Sequence, residues 1–200
     1  MADLGTHQVA IFLWILKSRP ASVEATGGLD YYKDSEWYDT ILTLWDFEPK
    51  AGSVRGSYQV ANTTSHGGFF EAFMGDEGSL VISEDTRKGF LFRETRAPRK
   101  DWEDSAEKIE TMDRPAMELK IGETRKSGKG QEEALEADYD PSKPVHQYHL
   151  ENFFAAVRNP KNRLSCPAAE AFDTCVAVLK ANEALEKGCR VDFSPGDFSV

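Results

Sequence analysis

The first hydrophobic pattern along the chain is helical. Apolar residues recur three or four positions apart at Val9, Phe12, Leu13 and Leu16. Pro20 ends the pattern, and Asp3 ahead of it is a residue type typical of a helix N-cap. Trp14 and Ile15 widen the apolar surface, so we expect a helix that is packed on most of its sides.

Short apolar segments follow, each bounded by glycine, proline or charged residues, which is typical of antiparallel strands. They are SVEATGG, DTILTLWDFEP, SVRGSYQVA, GGFFEAFMG, GSLVIS and GFLFRE. The third segment alternates with a period of two, which places Val54, Tyr58 and Val60 on one face and polar residues on the other. The alternation predicts a strand with one face toward water or a polar cleft.

The second of these segments is apolar on both faces of the predicted strand. Ile41, Trp45 and Phe47 lie on one face, and Leu42 and Leu44 lie on the other. If helices cover one face of the sheet, the other face needs a cover as well. We therefore predict a homo-oligomer that forms through the open face of the sheet.

Helical patterns return near the end, over residues 143–160 and 168–188, and RVDF at 190–193 could add a last strand. One helix, a set of strands and two further helices predict the α+β class. We expect an open, mostly antiparallel or mixed β-sheet with helices packed on one face, in a single domain over residues 1–200. Residues 94–140, rich in charge and poor in aliphatic side chains, are predicted to be a solvated, flexible insertion.

The charge of the chain limits the class of partner. There are 24 lysines and arginines against 34 acidic residues, giving a net charge of -10, which argues against nucleic acids and anionic membranes. The apolar run from Val9 to Leu16 is much shorter than the roughly 20 residues that span a bilayer. Cys166, Cys175 and Cys189 fit neither a disulfide framework nor a zinc site, so we expect small buried side chains in a cytoplasmic protein.

Asp3 and His7 form the strongest candidate site. They are four residues apart, so on a helix both side chains share one face. His7 would accept and return a proton, because imidazole titrates near neutral pH, and Asp3 would orient it or bind a substrate hydroxyl. The alternative is an N-cap followed by an incidental histidine.

Other polar residues give weaker signals. His146 and His149 are three apart on a predicted helix, but only Glu151 stands near them, so we predict no metal site. Lys33 lies in a loop rich in tyrosine and tryptophan. We take Lys33 and His149 as candidate substrate-binding residues. Gly128 and Gly130 lack the third glycine and the preceding strand of a dinucleotide loop, so no cofactor-binding residue is predicted.

Several stretches together resemble the C-terminal half of the Gfo/Idh/MocA family of NAD(P)-dependent oxidoreductases. They are DLGTHQ before a hydrophobic helix, RPASVEATGG, KDSEWYDT, HLENFFAAVRNP and CPAAEAFDTCVAVLKANEALEKGCRVDF. The resemblance implies an α/β domain that binds a sugar, cyclitol or related polyol and builds the oligomer interface. It also implies that His7 is the acid/base at the reacting hydroxyl, with Asp3 as its partner.

The chain departs from the family in one large respect, because it contains no glycine fingerprint of a Rossmann domain. The resemblance implies that NAD or NADP would be bound by an N-terminal domain missing from these 200 residues, which would be inactive alone. An alternative is a stand-alone binding or assembly module that has lost catalysis. A cofactor-independent hydrolase or lyase using Asp3 and His7 ranks lower, because no nucleophile or metal ligand accompanies them.

Overall fold

The structure, a computed structural model, describes residue 1 and residues 4–50, 52–64, 68–83, 89–111, 114–119 and 143–199. The chain divides into two compact units. The first unit comprises Met1–His66 and Glu151–Val200, and the second comprises Gly67–Leu150. A single domain over residues 1–200 stays a prediction.

Three α-helices and nine strands lie within the described ranges. The helices are α1 Leu4–Leu16, α2 Val145–Arg158 and α3 Ala168–Lys187. The strands of the first unit are β1 Pro20–Gly28, β2 Thr40–Phe47, β3 Val54–Ala61 and β9 Val191–Asp192. Those of the second unit are β4 Glu71–Met74, β5 Gly78–Ile82, β6 Phe90–Arg93, β7 Lys108–Glu110 and β8 Pro115–Glu118.

The first unit is a four-stranded antiparallel sheet, in the order β3-β2-β1-β9, with α1 and α3 packed on one face. Its core combines Val9 of α1 with Val23, Trp45 and Phe47 of the sheet, all at most 1% exposed. α3 contributes small side chains: Ala177, Val178, Ala181 and Ala184. These small residues let the helix backbone approach the sheet closely, so the core is filled mainly from the strands.

Aromatic rings form a continuous series through this core. Phe12 meets Phe47 edge-on with ring centroids 6.3 Å apart, and Phe47 lies 6.4 Å from Trp45. Phe193 stacks 6.4 Å from Trp45, and Phe198 lies 5.7 Å from Phe193. The series connects α1 through the sheet to the 3₁₀ helix at Pro195–Phe198, so Phe193 packs against the core and Phe198 stacks on Phe193.

The opposite face of this sheet is open in the described chain. In β2, Ile41, Trp45 and Phe47 are buried, whereas Leu42 and Leu44 are 45% and 61% exposed. β3 alternates as its sequence pattern predicts, with the polar positions exposed. The helices therefore cover one face only, as expected.

Two sequence-based predictions about burial are wrong. Trp14 is 57% exposed and Ile15 is 36% exposed, so α1 is packed on one side and not on most sides. Their positions fall away from Val9 around the helix, because each residue advances by about 100°. The three cysteines are also exposed, since they fall on the outer side of α3 or in the segments that flank it.

The second unit contains a five-stranded antiparallel sheet in the order β4-β5-β6-β8-β7. β7 and β8 lie within the charged segment 94–140, together with a 3₁₀ helix at Asp101–Asp104. Residues 112–113 and 120–140 of that segment are outside the described ranges, so for them a flexible insertion stays a prediction. The α+β class with antiparallel strands is confirmed, but the strands divide between two sheets.

Candidate functional site

His7 lies in the second turn of α1 and is exposed. The helix packs on the sheet through Gly5 and Val9: a Cβ added at Gly5 would lie 3.3 Å from Cε1 of Tyr58, and Val9 is 1% exposed. His7 is two residues from each, or about 200° around the helix, which turns it away from the sheet. Asp3 lies outside the described residues, so the predicted pairing of these two side chains stays a prediction.

The direction of α1 shows toward which end of the sheet His7 lies. The helix begins beside Tyr58 and reaches Phe47 through Phe12, and Phe47 pairs with Pro20 at the start of β1. α1 therefore runs antiparallel to β1. Its first turns and the loop that follows β1 lie toward the same end of the sheet. Lys33 belongs to this loop, although no hydrogen bond or ion pair joins it to His7 in the part of the chain that the structure describes.

A buried carboxylate holds this loop, residues 29–39, in shape. Asp39 is 2% exposed and accepts hydrogen bonds from the backbone N–H groups of Asp30, Tyr31 and Tyr32 at 2.7–3.0 Å. The hydroxyl of Thr40 donates a fourth at 3.0 Å. Burial raises the pKa of Asp39, but these four hydrogen bonds outweigh it and lower the pKa to about 2. The loop is therefore fixed by an ionised side chain.

The fixed loop presents aromatic rings to solvent. Tyr31 is 69% exposed, Tyr32 is 49% exposed and Trp37 is 73% exposed, and the two tyrosine rings meet edge-on at 4.9 Å. Lys33 Nζ donates to the carbonyl oxygen of Leu29 at 2.6 Å. One hydrogen of the Lys33 ammonium is thus used within its own loop, which leaves the rings as the larger contact surface here.

His149 lies on α2 in the second unit and is exposed, as is His146. Among the residues that the structure describes, no group of three or more His, Cys, Asp or Glu side chains could hold a metal ion. None of the described helices is both long and apolar enough to cross a membrane.

The described residues do not fit a dinucleotide. Such a site needs parallel strands and a glycine-rich turn from a strand into a helix, where backbone N–H groups hold the pyrophosphate. All strand pairings in the described ranges are antiparallel, and α3 begins after Pro167 without a preceding strand. The described residues therefore lack the elements that would hold a nicotinamide dinucleotide.

Sequence reasoning missed Asp39 as a structural residue of this site. The sequence signal for this role is an aspartate that stands between an irregular loop and a predicted strand. Such a side chain can accept hydrogen bonds from backbone N–H groups of the loop. That signal is shared by many turns, and only the positions of the three N–H donors reveal its role.

Comparison with known proteins supports the fold. No family profile and no curated protein match the sequence. Among solved structures, an NAD-binding protein from Listeria innocua has a TM-score of 0.60 at 18% identity, over 98% of this chain and 48% of that one. An oxidoreductase domain protein from Kribbella flavida has a TM-score of 0.62 at 12% identity, over 96% of this chain and 49% of that protein.

A third similar structure is the WlbA dehydrogenase of Bordetella pertussis in complex with NADH and UDP-GlcNAcA. Its TM-score is 0.60 at 13% identity, over 96% of this chain and 45% of the dehydrogenase. The chain thus spans about half the length of the structures it matches. It has the fold of one half of a Gfo/Idh/MocA-type oxidoreductase, as the sequence resemblance implies.

Proposed function

We propose that this chain is the substrate-binding and oligomerisation half of a nicotinamide-dependent oxidoreductase that acts on a sugar, cyclitol or related polyol. The observation that carries the proposal is a structural likeness to NAD-binding and oxidoreductase proteins. It extends over nearly all of this chain and about half of each of those proteins. A sugar-type substrate is supported by the UDP-GlcNAcA in the WlbA dehydrogenase structure. The chain alone is expected to be inactive.

His7 is the residue of this chain that we assign to the chemistry. Its imidazole is exposed on α1 and free to approach a hydroxyl, from which it would take a proton during oxidation and to which it would return one during reduction. Asp3 would orient the ring. The nicotinamide, held by a separate domain, would accept or supply the hydride when bound.

The loop 29–39 is the second element we assign to the substrate. Tyr31, Tyr32 and Trp37 offer flat apolar surfaces at the end of the sheet toward which α1 begins, and Asp39 holds the backbone of the two tyrosines. A loop that is already rigid loses little conformational entropy when a ligand binds. Lys33 and His149 stay candidate substrate-binding residues.

The first test is the intact mass of the protein from its native source, detected with an antibody raised against these residues. A species heavier than 22.4 kDa by roughly 100 to 200 residues would support a cofactor-binding half in the same polypeptide. A species at 22.4 kDa would contradict it and would favour the stand-alone module.

The second test is catalytic and uses the heavier species. We expect His7→Ala to lower polyol-dependent formation of reduced nicotinamide by at least about 100-fold, since general acid–base catalysis contributes that much. His146→Ala, which removes another exposed histidine, is the matched control and should keep full activity. Retained turnover in the His7 variant would refute its catalytic role.

The competing proposal is a binding or assembly module without catalysis, in the cytoplasm as expected for the parent. The described residues' lack of fit to a dinucleotide agrees with both proposals, which differ in whether a cofactor-binding half exists. Under it, the wild-type chain and the His7→Ala variant should assemble equally well at 22.4 kDa per subunit, as measured by light scattering.

A further inference from the structure

A groove in the second unit, lined by residues that the proposed function does not use, has features of a small-molecule site. It has a volume of about 240 Å³ and lies on one face of the five-stranded sheet, beside the 3₁₀ helix Asp101–Asp104. Its lining combines four apolar residues with three cations and the carboxylate of Glu103, so it offers both apolar surface and charge to a small ligand.

The floor of the groove is apolar. Leu91 of β6 pairs with Met117 of β8, and Met117 pairs with Lys108 of β7. Directly paired residues of an antiparallel sheet point to the same face, so these three side chains stand in a row across three strands. Leu91 and Met117 form the base, and Lys108 stands at the edge of the sheet.

Two of the three cations are already neutralised. Arg93 Nε lies 3.0 Å from Oε2 of Glu103, whose side chain is 7% exposed, and Arg93 also donates to the Ala97 carbonyl oxygen at 2.8 Å. Arg99 pairs with Asp104. The Arg93–Glu103 pair links the 3₁₀ helix to β6, and Arg93, Arg99 and Glu103 all line the groove.

Lys108 is the cation of the lining that takes no part in these ion pairs. It is exposed, and no carboxylate of the described residues lies within ion-pairing distance of its ammonium. Arg93 and Arg99 are each paired with one carboxylate, so Lys108 is the one cation of the lining that has no carboxylate partner among the described residues. A ligand with one negative charge next to an apolar group would match both the charge and the floor.

We propose that this groove binds a small monocarboxylate, with its apolar part on Leu91 and Met117 and its carboxylate paired with the ammonium of Lys108. Strands in a sheet are about 4.8 Å apart, so the span from Leu91 to Lys108 is roughly 10 Å. A six-membered ring with a short carboxylate side chain fits that span. An isolated phosphate ion has no apolar part and gains nothing from the floor.

The test is a titration of the full 200-residue chain with phenylacetate, in which binding is monitored by the NMR signals of its labelled methionine methyl groups. The Met117 methyl should shift with saturation at millimolar ligand. The Met74 methyl, 82% exposed on β4, should not move. Phenylacetamide, which has the same shape without the charge, should bind at least about fivefold more weakly.

Variants identify the cation. Lys108→Gln should weaken phenylacetate binding about fivefold, and Lys108→Arg should restore it. Lys50→Gln, at an exposed lysine of the first unit, changes the net charge equally and should leave the affinity unchanged. The proposal is overturned if Met117 does not respond, if phenylacetamide or inorganic phosphate binds as well as phenylacetate, or if Lys108→Gln binds normally.

Discussion

Asp39 shows how one side chain can decide the conformation of a loop. Three successive backbone N–H groups, of Asp30, Tyr31 and Tyr32, converge on its carboxylate instead of on water. Ionisation makes Asp39 a strong acceptor, and the same bonds hold its pKa near 2. The exposed rings of the loop therefore depend on a buried charge.

We predict that Asp39→Asn destabilises the first unit at neutral pH, because a single amide oxygen cannot accept all of these bonds. The pKa of Asp39 is lower in the folded protein than its ordinary 3.8, so its ionised form stabilises the fold above about pH 4. That contribution is lost as the pH falls from about 4 to about 2. Urea unfolding of both proteins across this range should show the difference shrink.

Asp34→Asn is the control for this experiment, since Asp34 is an exposed carboxylate of the same loop. It should unfold like the wild type at every pH. If the difference between wild type and Asp39→Asn were as large at pH 2 as at pH 7, the role of the ionised carboxylate would be wrong.

At this scale, the sequence predicts some residues well and others poorly. The pattern before the apolar run predicted that His7 lies on a helix, and α1 confirms that placement, whereas its catalytic role stays a prediction. The hydrogen bond from Lys33 to the Leu29 carbonyl was not found, because the conformation of an irregular loop is set by contacts that periodicity does not encode. The exposed cysteines were mispredicted since their burial depends on which side of α3 faces the sheet.

The β1–β2 pair contains a close approach that only glycine permits. A Cβ built on Gly27 would lie 2.1 Å from the carbonyl oxygen of Thr40 and 3.0 Å from Cα of Ile41. Both atoms belong to the backbone of the neighbouring strand, so a flexible side chain cannot move aside. The end of the β1–β2 hairpin that leads into the loop 29–39 therefore depends on this glycine.

We predict that Gly27→Ala destabilises the first unit by about 1–3 kcal/mol, because the added methyl group pushes β1 and β2 apart. Gly196→Ala is the matched control: its Cβ would meet only Oγ of Ser194, at 3.7 Å. Chemical denaturation should reveal the difference. Equal unfolding midpoints for the two variants would contradict the predicted clash.

Three elements of the first unit, α1, α3 and β3, were predictable because each repeats a simple period over eight or more residues. α1 and α3 follow a helical pattern, and β3 alternates with a period of two. β7 and β8 have only three and four residues in a charged stretch, which is too short for a period to be recognised. The division into two sheets depends on pairing between distant segments, which no local pattern contains.

For the whole molecule, the open face of the four-stranded sheet is the feature with the largest consequence. Leu42 and Leu44 stay exposed on β2, opposite the face that the helices cover. Contiguous apolar surface on a sheet is costly in water and is usually covered in an assembly. A homo-oligomer through this face stays our prediction.

We expect the wild-type chain to self-associate at micromolar concentration and Leu44→Glu to weaken that association at least about tenfold, because a buried unpaired charge is costly. Leu179→Glu is the control, since Leu179 is a leucine of α3 with a similar exposure of 56%. Analytical ultracentrifugation would measure both. A monomeric wild type, or equal effects of the two variants, would contradict an interface on this face.

The aromatic series through the core also has a spectroscopic consequence. Trp45 is 1% exposed and donates through Nε1 to Oγ1 of Thr43 at 2.8 Å, whereas Trp14, Trp37 and Trp102 are 49–73% exposed. Dissolved iodide would therefore quench the fluorescence of three indoles and spare the fourth. The protected fraction of the emission would report on the core of the first unit alone. During unfolding, the rate at which this protected fraction falls would measure how fast that core opens, without any added label.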